Sequence, residues 1–227
     1  LTGTGKTAAF ALPILQLLHQ TRVDHRLPRA LVLAPTRELA AQVHASFDKY
    51  GKHLALRSFA VYGGVKIGPQ IRALRQGVDV IVATPGRLLD LHQQNAVDLR
   101  FIEALILDEA DRMLDMGFIH DIRRVQSMLP VERQSLMFSA TFTPDIRELG
   151  RQMLTCPVQI DVAHKNATAD TVDQCVIPVV KNQKTKLLSA LLTEFAEGQT
   201  LVFSRTKHGA NKLARDLTKA EIGRAHV

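Results

Sequence analysis

The sequence predicts an α/β protein with an open parallel sheet that carries helices on both faces. Short apolar runs alternate with amphipathic segments over residues 6–153, as in folds where a crossover helix follows each strand. Each run ends at a polar or turn residue, which is typical of strands that are covered on both faces.

Five of these runs are expected to form strands. Four of them are almost wholly apolar and predict buried strands: Ala30–Ala34, Val78–Ala83, Ala104–Leu107 and Ser135–Phe138. The fifth, Leu56–Tyr62, alternates more and is expected nearer an edge.

Helical spacing of apolar residues predicts six helices between and around the strands. They are Lys6–Leu18, Arg37–Tyr50, Pro69–Gln76, Arg87–His92, Phe118–Met128 and Pro144–Met153. The last begins after Thr143, a hydroxyl cap that is followed by a proline and an acid, a combination that favours a helix start.

The pattern changes after Cys156, which suggests a domain boundary. We expect a first domain over residues 1–160, a polar linker over 161–172 and the start of a second, incomplete domain over 173–220. In the second domain, a strand is predicted at Gln174–Val180, a helix at Lys184–Phe195 and a strand at Thr200–Phe203.

Both ends of the chain are expected to be unnatural. The chain has no initiator Met and opens within a glycine-rich loop that normally follows a strand. Residues 221–227 resemble the translation of a sequencing adapter, so they are not expected to contribute to function. The chain is therefore predicted to be a fragment of a longer protein.

Composition narrows the class of protein. Hydrophobic residues make up 46% and charged residues 22%, with no apolar run of membrane-spanning length. Two cysteines, Cys156 and Cys175, make no disulfide framework and predict reduced thiols in the cytoplasm. The nine histidines show no zinc-ligand spacing, and the net charge of +7 favours a polyanionic partner such as nucleic acid.

A glycine-rich turn opens the first helix and predicts a phosphate-binding loop. Its backbone N–H groups would cradle phosphates, Lys6 would reach the β- and γ-phosphates, and Thr7 would ligate Mg²⁺. A chance glycine-rich turn is the alternative. The predicted ATP-binding residues are Thr2, Gly3, Thr4, Gly5, Lys6 and Thr7.

Two carboxylates follow the apolar strand at Ala104–Leu107. At the carboxyl end of a parallel strand they point into the ligand crevice, where Asp108 would hold Mg²⁺ and Glu109 would act as general base. An acidic helix cap is the alternative, and the upstream phosphate loop argues against it. The predicted catalytic residues are thus Lys6, Asp108 and Glu109.

These motifs, taken in order, resemble those of the DEAD-box RNA helicases over about residues 1–220, and the RhlE-type bacterial subgroup is the nearest likeness. The four residues that give the family its name are Asp108, Glu109, Ala110 and Asp111. The resemblance implies a RecA-like first domain, ATP and Mg²⁺ as cofactors, and coupling between nucleotide and RNA through Asp111, Ser139 and Thr141.

Three further loops of the resemblance imply RNA binding. Each follows a predicted strand and offers N–H groups, a hydroxyl, a guanidinium or a close backbone approach to phosphate, so binding should tolerate many sequences. The predicted RNA-binding residues are Pro35, Thr36, Arg37, Gly63, Gly64, Thr84, Pro85, Gly86 and Arg87.

The resemblance implies an RNA-stimulated ATPase that locally unwinds RNA duplexes, with the fragment itself nearly inactive. The residues that read adenine and the arginines that meet the γ-phosphate are expected outside this chain, and no membrane partner is expected. Three alternatives stay open: a DNA-directed helicase or translocase of the same superfamily, a non-enzymatic RNA-binding protein, and an ATPase without nucleic acid.

Overall fold

The computed structural model describes residues 5–21, 23, 25–161, 173, 175–195, 198–220 and 222. The chain forms two compact units, Leu1–Ile160 and Asp161–Val227. Three sets of predictions lie outside the described residues: Thr2, Gly3 and Thr4 of the phosphate loop, residues 162–172 of the linker, and the tail apart from Ile222.

The first unit contains five strands and seven helices among its described residues. The strands are β1 (Ala30–Leu33), β2 (Ser58–Val61), β3 (Val80–Ala83), β4 (Ala104–Leu107) and β5 (Gln134–Met137). The helices are α1 (Lys6–Gln20), α2 (Arg37–Tyr50), α3 (Ile67–Arg75), α4 (Pro85–Gln93), α5 (Ala110–Asp115), α6 (Ile119–Ser127) and α7 (Pro144–Met153).

The five strands form one parallel sheet in the order β2-β3-β1-β4-β5. This confirms the predicted fold class, and β2 occupies an edge, as its alternating sequence indicated. The prediction of a buried strand at Ser135–Phe138 is wrong in one respect: β5 is the other edge strand, and its residues are exposed or only partly buried. Leu33 of β1 lies opposite both Ala83 and Leu107, Val61 opposite Ala83, and Leu107 opposite Met137. The strands therefore end level with one another, so the loops that follow them share one edge of the sheet.

Two hydrophobic clusters cover the two faces of the sheet. Alternate residues of β1 point to opposite sides: Leu31 and Leu33 join the cluster that contains residues of α3 to α7, whereas Ala30 and Val32 join the one formed with α1 and α2. Since successive side chains of a strand point to opposite faces, the sheet carries helices on both sides, and its central strands are apolar throughout.

A buried arginine fixes the opposite end of the sheet. Arg29 is 2% exposed, and its guanidinium donates to both Glu103 carboxylate oxygens at 2.6 and 2.9 Å and to the Leu18 carbonyl at 3.0 Å. Leu18 lies near the end of α1 and Glu103 directly precedes β4. This pairing of a buried charge holds the helix that begins at Lys6 beside the strand that ends before Asp108.

The second unit differs from the sequence-based expectation. Its described elements are a short 3₁₀ turn (Lys181–Gln183) and the helices α8 (Lys184–Glu194) and α9 (Lys207–Lys219). The strand predictions at Gln174–Val180 and Thr200–Phe203 are wrong, because the described residues of both segments form no strand. Their apolar side chains are exposed instead, with Val176 at 94% and Phe203 at 88%.

No helix in the described ranges has both the length and the apolar character needed to cross a membrane.

Candidate functional site

The described site residues that follow the five strands lie at one edge of the sheet, either in loops or in the first turns of the helices after them. The carboxyl end of β4 leads to Asp108 and Glu109, and that of β5 leads to Ser139 and Thr141. The ends of β1, β2 and β3 lead to the loops at Pro35, Gly63 and Thr84. Backbone hydrogen bonds tie these loops to the neighbouring strands: the Asp108 N–H donates to the Leu33 carbonyl and the Thr84 N–H to the Val61 carbonyl, each at 3.0 Å.

Asp108 is a buried carboxylate close to Lys6. The residue is only 5% exposed to solvent. Burial raises the pKa of Asp108 above its ordinary value, the negative charge of Glu109 raises it further, and the positive charge of Lys6 opposes both. The structure thus brings the first residue of α1 within electrostatic range of the end of β4, as a shared phosphate and metal site requires.

Glu109 begins α5 in an unusual backbone conformation. Its φ and ψ of 52° and 54° lie in the left-handed region, which costs a non-glycine residue about 1–3 kcal/mol and is concentrated at functional sites. The next residue, Ala110, donates its N–H to the Phe138 carbonyl at 2.9 Å. The strained turn therefore sits between the ends of β4 and β5.

Asp111 connects α5 to the loop after β5. Its Oδ2 atom accepts hydrogen bonds from the Thr141 N–H and from the Thr141 hydroxyl, both at 3.1 Å. The Ser139 hydroxyl donates to the Thr141 carbonyl at 2.6 Å. Thr141 therefore contacts the carboxylate directly, whereas Ser139 shapes the loop that presents Thr141.

The loops after β1 and β2 meet each other. Thr36 caps α2 by accepting a hydrogen bond from the Leu39 N–H at 3.2 Å. Arg37 is 60% exposed and pairs with Glu38 at 2.5 Å. Its guanidinium lies 3.4 Å from the position that a Cβ on Gly64 would occupy, and Gly64 has a φ of +80°. A glycine is needed here for its backbone conformation and for the close approach of Arg37.

Arg87 faces the protein more than solvent. Its side chain is 13% exposed, donates to the Val65 carbonyl at 3.1 Å and lies 3.6 Å from the Asp90 carboxylate. The second terminal nitrogen, Nη1, is buried and has no partner among the described residues. Arg87 therefore ties the helix after β3 to the glycine loop after β2.

Sequence reasoning missed two side chains of this edge. Arg112 pairs with Glu109 at 3.2 Å. Its charge also acts on Glu38: the pKa of Glu38 is lowered first by its hydrogen bond to Arg37 and to a smaller extent by the charge of Arg112. Gln70 is 5% exposed and donates to the Tyr62 carbonyl at 3.0 Å. The spacing of Arg112 three residues after Glu109 is a signal that could have found it.

The donors at this edge suit Mg²⁺ better than a transition metal. The described residues hold no group of three or more His, Cys, Asp or Glu side chains that could bind a metal ion. Mg²⁺ is usually held by one or two carboxylates together with water and substrate phosphates. A buried carboxylate at Asp108 beside the helix that carries Lys6 and Thr7 fits that pattern.

Comparison with known families decides the assignment. The profile of the DEAD/DEAH box helicases matches residues 1–149, which is more than half of the chain. The chain belongs to the DEAD/DEAH box helicase family.

Relatives of this DEAD/DEAH box chain come from bacteria and plants. It is 43% identical to the DEAD-box ATP-dependent RNA helicase CshA of Streptococcus pneumoniae over 95% of its own length, 40% identical to the ATP-dependent RNA helicase RhlB of Pseudomonas putida over 100%, and 40% identical to the DEAD-box ATP-dependent RNA helicase 30 of Oryza sativa over 95%. The chain spans 41%, 58% and 33% of these relatives. The family prediction is confirmed.

Proposed function

We propose that the protein containing this chain is an ATP-dependent RNA helicase, in which RNA-stimulated ATP hydrolysis drives local unwinding of RNA duplexes. The observation that carries the proposal is the sharing of one sheet edge: Asp108 and Glu109 follow β4 at the edge that also bears the loops at Arg37 and Gly64, and the charge of Lys6 acts on Asp108. Relatives with 40–43% identity are named as ATP-dependent RNA helicases.

In this proposal the nucleotide lies at the β4 and β5 end of the edge. The loop formed by Thr2, Gly3, Thr4 and Gly5 holds the phosphates, and Lys6 neutralises their negative charge. Thr7 and Asp108 would hold Mg²⁺, which when bound would supply Lewis-acid stabilisation of the phosphate oxygens. Glu109 orients and deprotonates the attacking water.

RNA occupies the loops after β1, β3 and β2. Thr36 and Pro85 stand at the starts of α2 and α4, where free N–H groups attract phosphate. Arg37 is exposed and presents its guanidinium to the RNA backbone. Arg87 is largely buried and supports the same surface by donating a hydrogen bond to the Val65 carbonyl. The remaining members of this surface are Pro35, Gly63, Gly64, Thr84 and Gly86.

The nucleotide site is coupled to the RNA surface through α5 and the loop after β5. Both hydrogen bonds from Thr141 end on Asp111, two residues after the proposed general base. A shift of Thr141 or of Ser139 therefore reaches Glu109 through one short helical turn. We assign coupling to these three residues: Asp111, Ser139 and Thr141.

Four finer assignments accompany this function. We propose an RhlE-type bacterial subgroup, a first domain over residues 1–160 that is joined by the 161–172 segment to the start of a second, and a cytoplasmic location, in keeping with two exposed free thiols at Cys156 and Cys175. We also propose that residues 1–220 alone are nearly inactive, since a missing arginine finger typically costs about 10³–10⁵ in rate.

The test is ATP turnover by the full-length protein with RNA, with DNA of matched length, and with neither. Strong stimulation by RNA and weak stimulation by DNA are expected. Preference for DNA would assign the protein to DNA-directed helicases instead. ATP binding without turnover under any condition would favour a non-enzymatic RNA-binding protein, and turnover that ignores both nucleic acids would favour a simple ATPase.

A further inference from the structure

A second basic surface lies at the opposite end of the same strands. A cleft of about 1060 Å³ is lined by four arginines and a histidine, together with one acid, Asp98. These basic residues are Arg26, Arg57, Arg75, His92 and Arg100. We refer to this feature as the arginine cleft.

The arginine cleft is separate from the proposed RNA loops. Leu27 precedes β1, Arg57 directly precedes β2, and Gly77 precedes β3, so the lining residues stand at the amino ends of three strands. The proposed RNA loops follow the carboxyl ends of those same strands. Each strand has four residues, which span about 13 Å at roughly 3.3 Å per residue.

Most of the positive charge in the cleft is not neutralised by the protein. Arg100 pairs with Asp98 at 2.7 Å. By contrast, Arg26, Arg57 and Arg75 form no ion pair with any carboxylate of the described residues. Uncompensated guanidiniums that face one cleft attract phosphate, which they can bind through two parallel N–H groups.

The cleft is also partly fixed in shape before any ligand binds. The Arg57 guanidinium donates to the Gln76 carbonyl at 3.0 Å, and its backbone N–H donates to the Asp79 carboxylate at 2.8 Å. Gly77 has a φ of +84°, and a Cβ at that position would overlap the Cβ of Arg26. Two of the arginines are thus held close to the end of α3.

We propose that the arginine cleft binds the phosphate backbone of an RNA strand that extends beyond the loops at Arg37 and Gly64. Exposed arginines line the cleft at the amino ends of three strands, so it suits an extended polyanion. Leu27, Leu74 and Val97 lie among the arginines and offer apolar surface to sugar and base. The proposal rests on the proposed function, because it takes the same RNA as its ligand.

The test compares two charge-matched variants of the full-length protein. The cleft variant carries Arg26→Glu and Arg75→Glu. The control carries Lys49→Glu and Arg72→Glu, which change the net charge equally; both residues are exposed, and neither lines the cleft. Affinity is measured by fluorescence anisotropy with labelled oligouridines of about four and about thirty nucleotides, the shorter matching the smallest site sizes of single-strand binding surfaces.

The cleft variant should lose about tenfold in affinity for the longer RNA and less than about twofold for the shorter one. The slope of log affinity against log salt should fall by about 1.4 for the longer RNA, since each single-strand phosphate contact contributes roughly 0.7. The control should keep the wild-type affinity for both lengths. ATP binding, measured with a fluorescent analogue, should be unchanged in both variants.

Two outcomes would overturn the proposal: equal losses for the cleft variant and the control, or wild-type binding of the longer RNA by the cleft variant. The second would leave an acidic protein segment as the better occupant. If the wild-type protein bound neither RNA, the proposed function itself would fail. Should the cleft variant not fold, Arg26→Gln with Arg75→Gln removes both charges with less disturbance and must show the same dependence on RNA length.

Discussion

The two halves of the loop-bearing sheet edge are built on different principles. Around β4 and β5, charge is buried and the backbone is strained: Asp108 is 5% exposed, and Glu109 adopts a left-handed conformation. Around β1, β2 and β3, helix caps, a glycine and the exposed Arg37 present groups to solvent. The first half holds the proposed catalytic groups in place at a cost in stability, whereas the second half presents a solvent-exposed surface for the proposed RNA ligand.

This contrast separates the expected effects of substitution. Changes near β4 should alter the rate of ATP hydrolysis and leave RNA affinity intact, because we propose that those groups act on phosphate and water. Changes near β2 should weaken RNA binding and leave ATP affinity intact. The predictions below apply to the full-length protein and test whether the two halves can be separated in this way.

The largest effect is expected from Glu109→Gln. Removal of a general base typically costs about 10²–10⁴ in rate, while the amide preserves the size of the side chain. ATP turnover should fall by that factor, and ATP and RNA should bind with wild-type affinity. ATPase assays measure the turnover, and binding assays with RNA and with a fluorescent ATP analogue measure the affinities. Lys6→Ala should also abolish turnover.

The matched control is Glu132→Gln, an exposed acid in the turn before β5, which should behave as wild type. Normal hydrolysis by the Glu109 variant would show that another group activates the water. Loss of RNA affinity in the same variant would show that the two halves of the edge are not separable.

The second effect concerns the link between the halves. Asp111→Asn weakens two hydrogen bonds from Thr141 to a charged acceptor, and bonds of this kind contribute about 1.5–3 kcal/mol each. RNA-stimulated turnover should fall about tenfold or more, with a much smaller change in turnover without RNA. Thr141→Ser keeps both donors and should retain stimulation. If Asp111→Asn lowered the two rates equally, the carboxylate would serve hydrolysis and not coupling.

The third effect tests the surface half. Gly64 has a φ of +80°, and an added Cβ would lie 3.4 Å from the Arg37 guanidinium. Gly64→Ala forces an alanine into the left-handed region, which costs about 1–2 kcal/mol, and crowds Arg37. RNA affinity should fall about five- to thirtyfold at unchanged ATP affinity.

Gly68→Ala is the control for this third prediction. Gly68 lies in the first turn of α3, and an added Cβ meets no atom within 4 Å. This variant should keep wild-type RNA affinity. A similar loss in both variants would point to a general disturbance of α3 instead of a specific role for Gly64.

Much of this comparison could be predicted from the sequence. Apolar runs such as Ala104–Leu107, which alternate with helical segments, predict strands of a parallel sheet, and the acids that follow then lie at its carboxyl edge. The contact of Thr141 with Asp111 agrees with the coupling role that the resemblance implied for these residues. What the pattern could not give was the direction of side chains: Arg87 has the same residue type as Arg37 but is largely buried.

The second unit shows where apolar pattern fails as a predictor. Residues Thr200–Phe203 read as a strand, yet Leu201 and Phe203 are 76% and 88% exposed and unpaired. A strand of a parallel sheet is stabilised by hydrogen bonds to neighbouring strands and by helices that cover it. Helices α8 and α9 form nonetheless, because a helix satisfies its own backbone hydrogen bonds. A short apolar run between two helical segments therefore does not by itself predict a strand.

The smallest expected effect concerns the free energy of unfolding, which the buried charge of Asp108 lowers. Burial and the charge of Glu109 raise the pKa of Asp108 in the folded protein. Its carboxyl group therefore favours folding at pH values below the unfolded pKa, and this contribution is lost as the pH rises through the raised folded pKa. At neutral pH, in a buffer with EDTA and no nucleotide, the ionised group destabilises the fold.

Asp108→Asn should accordingly raise the free energy of unfolding at pH 7 by about 0.5–2 kcal/mol, the usual size of a single stabilising substitution, and abolish Mg²⁺-dependent ATP binding. Denaturant melts at several pH values measure the gain, which should grow between the unfolded and the folded pKa and then level off. A gain that is the same at pH 3 and pH 7 would mean that the buried charge is not its cause. In that case the electrostatic half of the comparison would be wrong, and the strained backbone at Glu109 would remain the site's only evident cost.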